Sequence, residues 1–170
     1  MIRSHKGVDW TQRLQPEDVQ FLSMRIEPQA WYPMATFERM GNAILEHVAL
    51  GDLQAVRMWG RFSVDQLRAQ NPMLLAEGNP VETMMRFRVF RATFFDFEAL
   101  AVPTLLDDQA EIVIQYHMGP MAEEAASYQA MGFFERLLEL AGAIEVSSRF
   151  AARSWAGDSR TLLELQWRMA

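Results

Sequence analysis

Three histidines, the adjacent carboxylates Asp107-Asp108 and Glu123-Glu124, and no cysteine are the side chains from which chemistry would have to be built. His5, His47 and His117 lie far apart, and no set of His, Asp or Glu has the spacing of a helical zinc or di-iron motif. His47, in a helical stretch, is the histidine best placed to ligate a haem or a metal, although a solvated or hydrogen-bonded imidazole is the plainer account of it. His117 closes a strand pattern and suits a pH-sensitive contact more than catalysis. Asp107-Asp108 and Glu123-Glu124 are neighbours along the chain, so their side chains diverge in a turn or a helix and do not form a general acid–base pair. Turn chemistry and helix N-terminal charge account for them. Without cysteine, disulfides, thiolate metal sites and thiol nucleophiles are excluded. No glycine-rich phosphate loop, nucleophile elbow or serine triad pattern is present. The expectation is a protein that is not an enzyme, with no catalytic residue, no metal ligand and no cofactor.

Twelve methionines and eleven phenylalanines are the more unusual feature. Met84, Met85, Phe87, Phe90, Phe94, Phe95 and Phe97 crowd one passage of the chain, and soft thioethers beside aromatic rings adapt to the shape of a ligand or a partner helix. Core packing would use the same residues. Met84, Met85, Phe87, Phe90, Phe94 and Phe97, with Phe134 and Leu138 from a later helix, are the candidate ligand-binding residues for a small apolar molecule. If they are exposed instead, they form a surface for a protein partner or a second copy.

Met84, Met85, Phe87 and Phe90 fall on the helix before Thr93, and the others on a hairpin, a helix and a second hairpin over residues 94–170. Phe97, Ala99 and Ala101 alternate with Glu98, Leu100 and Val102, and Ala110, Ile112, Ile114 and Tyr116 alternate with Glu111, Val113, Gln115 and His117, which is strand periodicity. Ile144, Val146 and Phe150, then Thr161, Leu163, Leu165 and Trp167, repeat the pattern, with turns at Asp107-Asp108 and Gly157-Asp158. Between the hairpins a helix over 121–141 offers Ala126, Ala130, Phe133, Phe134, Leu137 and Leu138 to the sheet, and Gly142 ends it. The fold class is α+β: an N-terminal helical part and a C-terminal ββαββ four-stranded antiparallel sheet.

Upstream, Pro16 with Glu17 and Asp18 starts a short helix, and Trp31-Tyr32-Pro33 interrupts the chain. A helix over 34–50 carries Phe37, Met40, Ile44 and Val48 on one stripe, with Gly51 as its C-terminal cap. Asp52 caps the next helix, where Gly60 permits a close helix contact at some cost in propensity. Asn79-Pro80-Val81-Glu82 reads as a cap, a first-turn proline and a glutamate reaching back to the cap. The chain is one domain, 1–170, with an N-terminal extension and short helix (1–30), a helical part (31–93) and the sheet part (94–170).

Half the residues are hydrophobic and 22% are charged, the composition of an ordinary globular protein. The net charge of −6 argues against nucleic acid. Lys6 is the only lysine, while Arg57, Arg61, Arg68, Arg86, Arg88 and Arg91 cluster; these are either a basic surface for an acidic partner or solvated helix faces with their stems over apolar neighbours. No apolar run approaches a membrane span and residues 1–10 lack a signal-peptide core, so a soluble cytoplasmic protein without a membrane partner is expected.

The order of helices, strand pair, helix and strand pair, with Trp31-Tyr32-Pro33, Gly51-Asp52-Leu53, the strand Ile112 to Tyr116 and the closing hairpin, resembles the haem-NO-binding and vinyl-reductase-like ligand-binding superfamily. Within it the chain most resembles stand-alone proteins found largely in myxobacteria. Haem-binding members carry a proximal histidine on the helix before the first hairpin and a Tyr-x-Ser-x-Arg run after its second strand that grips the propionates. Here Tyr116 is followed by Met118 where serine would stand and Pro120 where arginine would stand, and residues 80–92 contain no histidine. The resemblance implies a sensory or regulatory domain that binds a small apolar ligand or a protein partner, without an attached effector. The alternatives are an interaction protein acting as a homodimer and a haem-based gas sensor with His47 as its ligand, the latter disfavoured by the missing motifs.

Overall fold

The computed structural model describes residues 2–27 and 30–169. In chain order it holds α1 (Pro16–Ser23), α2 (Met34–His47), α3 (Leu53–Gln70), α4 (Pro80–Phe90), β1 (Leu100–Leu105), β2 (Gln109–Ile114), α5 (Pro120–Leu140), β3 (Ala143–Ala152) and β4 (Thr161–Met169), with short 3₁₀ turns between them. The strands form one antiparallel sheet in the order β1-β2-β4-β3, so the two hairpins join along β2 and β4, with Ile112 opposite Leu163. This is the α+β, ββαββ architecture that the alternation predicts.

One face of the sheet is apolar because period-two alternation puts Ala110, Ile112 and Ile114 of β2 and Thr161, Leu163, Leu165 and Trp167 of β4 on the same side, all of them buried. Against this face lies α5, with Phe134, Leu137 and Leu138 fully buried. Val64 of α3 and Met84 and Phe87 of α4 belong to the same core, which therefore runs from the helical part into the sheet. The approach of α3 to α5 is set by two glycines. A Cβ on Gly60 would sit 1.9 Å from the Gln129 carbonyl oxygen, and one on Gly132 would sit 1.9 Å from that of Arg57. No side chain fits there, so the backbones touch.

Local signals set the helix ends. The Asp52 carboxylate accepts the Gln54 N–H at 2.8 Å, and the Asn79 side chain accepts the Glu82 N–H at 2.9 Å. Only half of the expected capping box forms, because Glu82 turns instead to Arg86, one helical turn on, at 3.0 Å. The second helix stops at His47, three residues short of the expected end at 50, and the chain turns through Leu50 and Gly51 at φ 52° and 80°. There the Gly51 N–H donates to the Leu45 carbonyl at 2.9 Å.

The first strand departs from the expected phase. Within β1 the buried residues are Leu100 and Val102, paired in register from Leu100 opposite Ile114, whereas the alternation put Phe97, Ala99 and Ala101 on the apolar face; of these only Ala99, just before the strand, is buried. Residues 99–102 are all apolar, so hydrophobicity alone does not choose the phase. In β3 a register shift follows Ile144, Glu145 adopts φ 52°, and Ile144 is turned out to solvent.

The N-terminal residues are fastened to α2. Ile2, Trp10 and Leu14 form a small cluster with Ala43, and Arg39 donates two bonds to the fully buried Asp18 carboxylate, at 2.6 and 2.8 Å. On the outer edge of β1, Arg88 donates through Nε to the Val102 carbonyl at 3.1 Å, and Arg91 donates to that of Leu100. Inside the molecule, Glu135 of α5 accepts from Arg57 and Arg61 of α3 and from the Ser148 hydroxyl of β3, tying three elements together. Among the described residues, no helix is long and apolar enough to cross a membrane.

Candidate functional site

Where the helical part meets the sheet part the surfaces do not close. Ile26 and Glu27, with residues 30–37, lie over α3, α4, the 94–95 turn and α5, and leave a cleft of about 530 Å³. Ser63 and Leu67 of α3, Phe87 of α4, then Phe94 and Phe95 form one side; Gln129, Phe133 and Phe134 of α5 form the other; Trp31, Tyr32, Met34 and Phe37 make the rim. The rings lock one another by edge contacts, Phe87 on Phe134 at 4.9 Å and Phe133 on Phe134 at 5.4 Å. This depth exists because the glycine crossing brings α3 and α5 together just beneath Gln129 and Phe133.

Tyr116 reaches the cleft from the end of β2, its ring on Phe95 at 5.5 Å. Burial first, and the Glu123 charge second, push its hydroxyl pKa well above the ordinary phenol value, so it stays protonated and can donate. The segment behind it is fixed by carboxylates. Glu123 accepts the Met118 N–H and Glu38 of α2 accepts the Gly119 N–H, both at 2.9 Å. The second oxygen of Glu123 is buried without a partner, as is the Ser127 hydroxyl.

A second apolar cleft of about 410 Å³ lies beside the first, between α2, α3 and the start of α5. It is lined chiefly by Met40, Ile44, Leu45, Val56, Trp59 and Met118, and shares Phe37, Ala126 and Gln129 with its neighbour.

The eight candidate ligand residues are dispersed over these surroundings. Phe87, Phe94 and Phe134 line the larger cleft. Met84 and Leu138 are fully buried in the core, Phe90 packs edge-on against Phe94, and Phe97 meets Phe95 edge-on and His117 at a tilt. Met85 faces outward and is 50% exposed. Sequence reasoning passed over Trp31, Tyr32 and Phe37 as line-forming residues; the signal was the run of large aromatics beside Pro33, which reads first as a helix break. Among the described residues no three His, Asp or Glu side chains gather as metal ligands.

No protein-family model and no curated protein matches the sequence. Solved structures do match its shape. A mutant H-NOX from T. tengcongensis aligns with 98% of this chain and 93% of its own at TM-score 0.60 and 13% identity. An H-NOX protein from S. oneidensis, in its Fe(II)NO state, aligns with 89% of this chain and 87% of its own at TM-score 0.64 and 7% identity. An oxygen-binding H-NOX domain related to soluble guanylate cyclases aligns with 89% of this chain and 83% of its own at TM-score 0.60 and 15% identity. The fold is that of H-NOX domains.

The H-NOX likeness raises haem as an occupant, and the residues present do not fit it. The helix before the first hairpin is α4, which presents Phe87 to the cleft and contains no histidine. Neither cleft is lined by histidine, lysine or arginine. His47 lies edge-on to Trp10 at 6.4 Å and pairs with Glu46, and His117, at φ 59°, lies on Phe97. The Met118 and Gly119 amides, which end the Tyr116 segment, are already taken by carboxylates of this chain. Two haem propionates would meet no cation and no open amide there.

Proposed function

We propose that this chain is a non-enzymatic sensory or regulatory domain in which the H-NOX-like scaffold holds a small apolar molecule without haem. The observation that carries the reading is the cleft of about 530 Å³ at the junction of helices and sheet, walled by phenylalanines and free of cationic side chains. An occupant touching both the 30–37 segment and α5 would favour one relative position of the two parts, and a protein partner or a second copy would read that position.

A second reading, a haem-based gas sensor, is favoured by the fold itself, since the similar structures are described in Fe(II)NO and oxygen-bound states. One experiment separates the two. Purified protein is titrated with haem under reducing conditions and followed by absorbance, while native mass spectrometry records what co-purifies or binds. The haem-free reading expects no stoichiometric Soret band and a mass adduct from an apolar molecule. A saturable Soret band at one haem per chain overturns it in favour of the gas sensor.

A further inference from the structure

Two apolar clefts side by side, separated by little, suggest a ligand longer than either. The partition between them consists of residues that line both, Phe37, Ala126 and Gln129. Ala126 projects only a methyl group, and Phe37 is 47% exposed, so its ring has solvent on one side into which it can turn. With the ring turned, the walls run on from Phe94 and Phe134 to Trp59 and Leu45.

Charge restricts the occupant further. The ionisable carboxylates that line the clefts are Glu27 in one and Glu38 in the other, with no basic side chain in either. A buried anion needs a cation or free N–H donors. The Met118 and Gly119 amides that lead into α5 would be natural donors, and Glu123 and Glu38 hold them. Besides the neutral Gln129 carboxamide, what remains for a polar group is Tyr116, which lines the cleft, has no hydrogen-bond partner among the described residues and feels the charge of Glu123. A phenol backed by a carboxylate suits a hydroxyl or an ammonium group and repels a second carboxylate.

We propose that the two clefts form one elongated site for a long-chain neutral or cationic molecule, of the fatty alcohol or fatty amine class, that excludes the corresponding carboxylate. The proposal rests on the ligand-binding reading above and adds to it the length and charge of the ligand.

The test uses the full chain and the neutral apolar dye N-phenyl-1-naphthylamine, displaced near neutral pH by 1-dodecanol, dodecylamine, dodecanoate or 1-hexanol, each below its micellar concentration. Dodecanol and dodecylamine are expected to displace the dye at least tenfold more strongly than dodecanoate. In Phe37→Ala the ring in the partition is removed, leaving Ala126 and Gln129, so dodecanol should gain affinity while hexanol, which fits one cleft, does not change. Glu38→Gln keeps an acceptor for the Gly119 amide and should narrow the gap between dodecanoate and dodecanol. Dodecanoate displacing as well as dodecanol overturns the charge argument, and equal shifts for both alcohols in Phe37→Ala overturn the joined site; in both cases dye binding leaves the ligand-binding reading standing. If neither the dye nor any chain binds, that reading falls and this proposal falls with it.

Discussion

Placing a methyl group at the contact between α3 and α5 tests the packing on which both clefts depend. In Gly60→Ala the new Cβ starts 1.9 Å from the Gln129 carbonyl oxygen, against the ~3.4 Å at which ordinary contact begins, so the helices must part by about 1.5 Å. The obstacle is backbone and cannot swing aside. Overpacking of a filled interior costs roughly 1–3 kcal/mol, and a rigid neighbour puts this case at the upper end. Against that stands a gain of about 1 kcal/mol in helix propensity, since alanine replaces glycine inside a helix. The net expectation is a loss of about 2 kcal/mol, or a fall in Tm of about 4–8 °C for a domain of this size. Urea unfolding followed by circular dichroism measures it, with unfolding followed by tryptophan fluorescence as a check on two-state behaviour. Gly132→Ala, which meets the Arg57 carbonyl in the same way, should cost about as much. The double variant should cost less than both together, because helices already parted have room for the second methyl. An alanine variant as stable as the parent would mean that the crossing is not held closed by these glycines.

Asp18→Asn should weaken the attachment of the N-terminal residues to α2. The Arg39 guanidinium beside Asp18 holds its carboxyl below the usual aspartate range, so its stabilisation is complete above the unfolded-state pKa and disappears as pH falls through the lower folded-state value. Arg39 is partly exposed, which reduces the cost to about 1–3 kcal/mol at neutral pH; thermal melts across the acid range should show parent and variant converging in strong acid. Arg88→Met removes the donor that reaches the Val102 carbonyl, at a cost of about 1.5–3 kcal/mol for a hydrogen bond from a charged group. Hydrogen exchange should then quicken along β1 and β2 while β3 keeps its parent rates.

Much of this architecture was legible in the chain because several signals agreed. Asp52 and Asn79 mark helix starts by chemistry that needs no tertiary help, and the phase opposite to Ile112, Ile114, Leu163 and Leu165 holds Glu111, Gln115, Glu164 and Gln166, so that only one phase buries an apolar face. The first strand was mis-phased where that contrast fails, in the unbroken run from Ala99 to Val102. Gly60 was readable as a point of close approach, but its partner Gly132 lies far along the chain, and a crossing needs both. The cleft was legible only in part. The Met84 to Phe97 segment does contribute Phe87 and Phe94, but α4 rotates its residues by about 100° each, which sends Met84 into the core and Met85 to the surface. The rim from Trp31 to Phe37 comes from a distant part of the chain, and periodicity carries no information about what an irregular segment will arch over.

The guanidinium bonds along β1 bear on how this molecule could stick to copies of itself. Open sheets add strands at either border, and unlimited growth needs two free borders. One border here has outward carbonyls occupied by Arg88 and Arg91, which leaves β3 as the flank open to a newcomer. Strand addition would therefore stop once two molecules had met flank to flank, a terminated pair in place of a fibre, and the arginines that bring this about lie outside both clefts.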